Sequence, residues 1–195
     1  MRLGVVILCL SLTAFSRGQN QSPGEGRLEA GRYVNRYFNL SYTWPKTLHA
    51  VNPASLAIAS KGSEGEYLLF VARKGNEPSG VVLIAERIED KAGVLPRKAS
   101  VIRDGPDFLN KVVAGWDAAN PGKVEGRRHF AGTGGLTFDE LDYRQAGELN
   151  SAIVAQIGQY LLAFRCNAKT EADLEEMKQS VFASQHALGK SGSDR

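Results

Sequence analysis

The sequence predicts an α+β domain with a mainly antiparallel sheet, and three features carry that expectation. Phe38, Leu40, Tyr42 and Trp44 alternate with Asn39, Ser41 and Thr43, the period-2 pattern of a half-buried strand. The runs "GEYLLFVARK" and "GVVLIAERI" are rich in β-branched and aromatic residues, and the turn formers of "GNEPSG" between them predict a hairpin. Two further segments, "DGPDFLNKVVAGWDA" and "TEADLEEMKQSVFAS", repeat apolar residues at helical spacing behind capping residues.

Taken in order, the chain opens with Arg2 and the apolar run "LGVVILCLSLTAF", a short secretory signal with small residues Ala14 and Ser16 before a cut at Arg17. The run is too short to span a bilayer comfortably, and Cys9 follows Leu8 deep inside it, which argues against a lipid anchor. Residues 1–16 are therefore read as a signal peptide and 17–32, "RGQNQSPGEGRLEAG" with its flanks, as a flexible leader. Residues 33–187 form a single α+β domain, and 188–195, "GKSGSDR" with its flank, a disordered tail. Only Cys166 survives cleavage, so an intramolecular disulfide is excluded, and "LLAFRCNA" makes it a structural strand thiol rather than a reactive one.

Within the domain, Pro45 ends the first strand and "PKTLHAVNP" leads away as a loop. The predicted hairpin follows, then a helix with Phe108, Val112 and Trp116 on one stripe, capped by Asp104 or Asp107. After "NPG" come the strands "VEGRRHFA", "GLTFDELDYRQ" and "SAIVAQIGQYLLAFRCNA", the last folded back at Gly158 and Gln159. A closing helix starts with Thr170 and Asp173 at capping-box spacing and presents Leu174, Met177, Val181 and Phe182 to the sheet.

From "YFNLSYTWPKTL" through paired strands and a middle helix to "IGQYLLAFRCNAKTEADLEEMKQSVFAS", the order of elements resembles the PsbP-like fold. That resemblance covers roughly residues 33–184 and implies an α/β/α sandwich around an antiparallel sheet. The fold occurs in extrinsic subunits of photosystem II, in a nuclear import factor that binds the Ran GTPase, and in exported bacterial proteins. It implies a non-enzymatic adaptor or binding role and supplies no site residues, because fold alone does not fix function.

The formal net charge is +3, neither sign gathers into a long block, and a nucleic-acid partner is not expected. None of the common hydrolase, nucleotide or zinc motifs occurs, and no cofactor or metal is expected. Of the three histidines, His49 falls in a turn, His129 in a strand and His186 at a frayed helix end; His129 with Asp139 or Asp142 across a hairpin is the one acid/base pairing to record. The glycines of "GTGG", residues 132–135, make a hairpin turn in preference to an anion cradle beside Arg127 and Arg128. Asp139, Glu140 and Asp142 read as a solvated strand face with cross-strand partners in Arg127 or Arg128, or as a site for a cation or a basic partner. The Asn20 and Asn39 sequons matter only in a eukaryotic secretory pathway.

The leading reading is an exported, secreted or periplasmic, non-enzymatic interaction module that holds a protein or envelope component and stays out of the bilayer once the signal is cut. Its possible contact residues are Lys46, His49, Arg127, Arg128, Asp139 and Asp142. A small-ligand carrier is the alternative, with Tyr42, Trp44, Trp116 and Tyr160 lining a pocket between helix and sheet. An uncommon hydrolase is the third.

Overall fold

The computed structural model describes residues 22–51, 65–88 and 102–186. Signal, tail and the first part of the leader lie outside them. Among the described residues, a seven-stranded antiparallel sheet has the order β4-β5-β6-β10-β9-β8-β7. Its strands are β4 (His49–Ala50), β5 (Glu66–Arg73), β6 (Gly80–Arg87), β7 (Lys123–Ala131), β8 (Thr137–Gln145), β9 (Glu148–Ile157) and β10 (Tyr160–Ala168). A second sheet, in the order β1-β2-β3-β11, comprises β1 (Gly26–Glu29), β2 (Arg32–Asn35), β3 (Leu40–Tyr42) and β11 (Gln185–His186). The helices are α1 (Gly105–Ala114) and α2 (Glu171–Phe182).

The period-2 pattern of β10 explains the layers. Leu162, Phe164, Cys166 and Ala168 face one way, into a core shared with Leu174, Met177 and Val181 of α2 and with Tyr33, Leu40 and Tyr42 of the small sheet. Leu161 and Ala163 face the other way, against Phe108 and Leu109 of α1. The predicted sandwich of helix, antiparallel sheet and helix is present, with the small sheet added beside α2. Phe70 is the hub of the larger core, with ring centroids 5.4 Å from Tyr33, 5.5 Å from Tyr42 and 5.1 Å from Trp44.

Both helix starts follow the sequence. The Asp104 carboxylate accepts from the Asp107 N–H at 2.8 Å, and the Thr170 hydroxyl accepts from the Asp173 N–H at 3.1 Å. Three local expectations are corrected. The leader gives way at Gly26 to β1, which pairs with β2, so the ordered body begins before residue 33. The strand expected over Phe38–Trp44 shrinks to Leu40–Tyr42, because Asn39 takes a left-handed φ of 47° and turns the chain between β2 and β3. That turn places Tyr33 opposite Tyr42, and both are buried. Finally, α1 ends at Ala114: the Gly115 N–H bonds the Lys111 carbonyl at 3.0 Å, and Trp116 lies past the helix instead of on its stripe.

Candidate functional site

The residues proposed as one partner surface are divided between opposite edges of the large sheet. Lys46 and His49 are exposed at the β4 edge, where the adjacent Thr47 hydroxyl donates to Glu176 of α2. Arg127, Arg128, Asp139 and Asp142 sit on β7 and β8 at the other edge. Within that second group, strand parity separates the acids. Asp139 points toward α1, whereas Glu140 and Asp142 point toward α2.

On the α2 side the acidic pair is not a solvated face. Glu140 is 1% exposed, and Lys178 of α2, itself 6% exposed, reaches Glu140 Oε1 and Asp142 Oδ2 at 2.7 Å each. Arg128 closes the other side of Glu140 at 2.6 Å and lays its guanidinium over the rings of Phe130 and Phe182. Burial alone pulls the Lys178 ammonium down, but the hydrogen bonds it donates to Asp142 and Glu140 outweigh it, and the group titrates above the ordinary lysine range. Burial likewise pushes the Cys166 thiol, which shares this layer, up to about 12. Arg128, its side chain 55% exposed, and Asp142, 28% exposed, are thus already engaged in ion pairs while staying partly open to solvent.

On the α1 side, His129 Nδ1 lies 2.7 Å from Asp139 Oδ1, so the acid/base pairing forms with Asp139 and not Asp142. Arg127 donates to Asn110 Oδ1 of α1 at 2.9 Å. The pair borders a cleft of about 450 Å³ that also receives His186 and Thr137. A carboxylate on Nδ1 leaves Nε2 to act as a base, but the ring is 70% exposed, and among the described residues lining the cleft there is no serine or cysteine for it to activate. His186 is not at a frayed helix end; it belongs to β11 and pairs with Leu40. The "GTGG" loop serves as the hairpin turn: the Gly132 N–H bonds the Leu136 carbonyl at 2.7 Å, and a side chain at Gly134 would run into the Ser184 carbonyl.

The four aromatics proposed to line one pocket lie in different layers. Tyr42 is fully buried with its hydroxyl at 3.1 Å from Ser180 Oγ, and Trp44 packs on Phe70. Tyr160 joins Tyr37, Phe38 and Tyr67 at the far end of the same core. Trp116 alone is on the α1 face, tilted against Tyr143 with ring centroids 5.4 Å apart, beside a groove of about 480 Å³.

Two features of these surfaces escaped the sequence reading although each left a trace. Lys178 occupies the α2 stripe four residues after Leu174 and three before Val181, a charge where packing predicts an apolar side chain. Arg165 interrupts the apolar run of β10 in the same way. Among the described residues no group of histidine, cysteine and carboxylates is placed to hold a metal ion, and no helix is long and apolar enough to cross a membrane.

The mainly antiparallel sheet with its two helices is a PsbP-like α+β fold. The solution structure of cyanobacterial PsbP (CyanoP) from Synechocystis sp. PCC 6803 is similar, with a TM-score of 0.50 and 18% identity, covering 77% of this chain and 85% of that one. No family model matches the sequence, and no curated protein does.

Proposed function

We propose that the chain is an exported, non-enzymatic interaction module that holds a protein or envelope component along β7. The observation that carries this reading is the β7 edge itself. It is nine residues long, exposed on both faces for most of its length, and among the described residues no strand pairs with its outer side. An open edge offers a row of backbone donors and acceptors to an incoming strand. Lys123 and Arg127 and the bulge between Val124 and Gly126 guard it against pairing with copies of itself. A long edge so guarded suits a chosen partner better than self-association.

Export and the lack of enzymatic activity rest on the amino-terminal signal pattern and on the site chemistry. Among the described residues lining its cleft the His129–Asp139 pair has no serine or cysteine beside it, and Thr137 supplies the one hydroxyl. The ligand-carrier reading retains one specific support, the groove beside Trp116.

Site-specific photocrosslinking in the native envelope tests the proposal. Val124 on β7 is 40% exposed and Leu28 on β1 is 39% exposed, so a photoreactive residue at each compares two equally accessible edges. A discrete adduct from position 124, absent from position 28 and weakened by Arg127→Glu, is the expected result. Equal or absent labelling at the two positions would remove β7 as the contact surface.

A further inference from the structure

We infer that the groove beside Trp116 is a binding site for a small planar carboxylate, a function separate from the β7 edge. The ten residues of α1 pack on β8 and β9 and leave the neighbouring part of this sheet face uncovered among the described residues. The resulting groove of about 480 Å³ lies within the usual range for small-molecule sites. Its floor includes Arg165, which rises from β10 between β6 and β9, near the middle of the sheet.

Arg165 is unusual in its setting. Directly opposite it stand Val82 and Ala152, and it forms no ion pair with any described residue. A guanidinium kept in the middle of a sheet presents a planar fork of donors that matches a carboxylate. The other cation of the groove, Lys111, is already held by Glu86 at 3.1 Å, and Glu66 is the second carboxylate of the lining. Trp116, which lines the same groove, has its Nε1 buried without a hydrogen-bond partner. An indole N–H left in that state loses water and gains nothing, unless an acceptor completes it.

The aromatic wall sets the shape of the occupant. Trp116 leans on Tyr143, and Gly122 packs so closely on the indole that a side chain there would strike the ring. The indole is thereby held from two sides, and both rings line the groove. Unsatisfied donors of positive character beside an aromatic wall select an anion with acceptor oxygens on a flat body.

Benzoate is the probe, and the tryptophan indole N–H signals in a nitrogen-15 correlation spectrum are the readout, with Trp116 identified through Trp116→Phe. On titration the Trp116 signal should move saturably while that of Trp44 stays in place. Benzamide, of the same shape but uncharged, should bind at least about tenfold more weakly, and Arg165→Gln should weaken benzoate by a similar factor. Because Arg165 is exposed, this substitution should leave the melting temperature unchanged. Should it lower it, the comparison of benzoate with benzamide on the unaltered chain decides alone. A Trp116 signal that does not move, or moves equally for benzoate and benzamide, would overturn the inference.

Discussion

The two faces of the large sheet are built to different standards. On the α2 side a twelve-residue helix and the small sheet cover a core of stacked aromatics, and even the charges there are paired within it. On the α1 side a ten-residue helix is, among the described residues, the cover for part of the face, with a cleft at each end, one around His129 and one around Trp116. Burial of apolar area and satisfaction of buried charge hold the fold, so the α2 face carries stability. Free polar groups next to partly covered rings are of little use to stability, so the α1 face and its β7 margin are where the two proposed contacts are placed.

The contrast breaks most visibly at Lys178. Removing this ammonium leaves Glu140 and Asp142 facing each other with only Arg128 and the Ser151 hydroxyl in reach of Glu140, and a buried charge without its partner costs about 3–5 kcal/mol. Lys178→Met should therefore lower stability by that amount in urea unfolding. Adding Glu140→Gln should recover part of the loss, since the orphaned charge goes with it. Lys178→Met with no measurable effect would show the ion cluster to be incidental.

Next in size is a dependence on alkaline pH. The Cys166 thiol is raised to about 12 by burial, above the ordinary thiol value of about 8.5 in the unfolded chain. A raised value means that its contribution is complete below about pH 8.5 and is lost as pH rises toward the folded value, at about 1.4 kcal/mol per pH unit. Lys178 has the same sign but acts only above about pH 10.4, where lysines of the unfolded chain titrate. Stability should thus fall between about pH 8.5 and 10, and Cys166→Ala should flatten that interval while leaving the steeper loss above it. Equal slopes in the two proteins, measured by urea unfolding at stepped pH, would contradict the assignment.

How much of this was legible in the sequence follows the range of the interactions. The hairpins, both helix caps and the inward row of β10 are local patterns, and the element order sufficed to point to the PsbP-like fold. The small sheet was not legible, because "GRLE" is polar and Asn39 turns the chain where alternation continues unbroken in sequence. The ion cluster joins residues 36 apart, Asp142 and Lys178, and no local rule reports such a pair. The division of Lys46 and His49 from Arg127 and Asp139 has the same origin, since the strand order that sends β4 and β7 to opposite edges is a property of the whole sheet.

Trp116 measures how loosely the α1 face is held. Placed on the helix stripe, truncation would cost about 3–5 kcal/mol as in a closed core. Observed past the end of α1 and only partly buried, the indole should contribute about 1–2 kcal/mol through the area it shares with Tyr143 and Gly122. A Trp116→Ala protein that loses as much as Lys178→Met in the same unfolding experiment would mean the two faces are equally tight.

The smallest expected effect lies at the His129–Asp139 pair. Asp139 packs against Gly105, the first residue of α1, so closely that a side chain at Gly105 would meet its carboxylate. A carboxylate there is favoured by the partial positive charge of the helix start as well as by His129. Both contributions work through solvent, because the histidine side chain is 70% exposed, and exposed pairs are worth about 0.2–1 kcal/mol and weaken with salt. Asp139→Asn should accordingly destabilise by no more than about 1 kcal/mol at low salt, and by less in high salt. A larger loss, unchanged by salt, would place Asp139 among the buried structural charges with Glu140, and the α1 face would then share the construction of the α2 face at this one position.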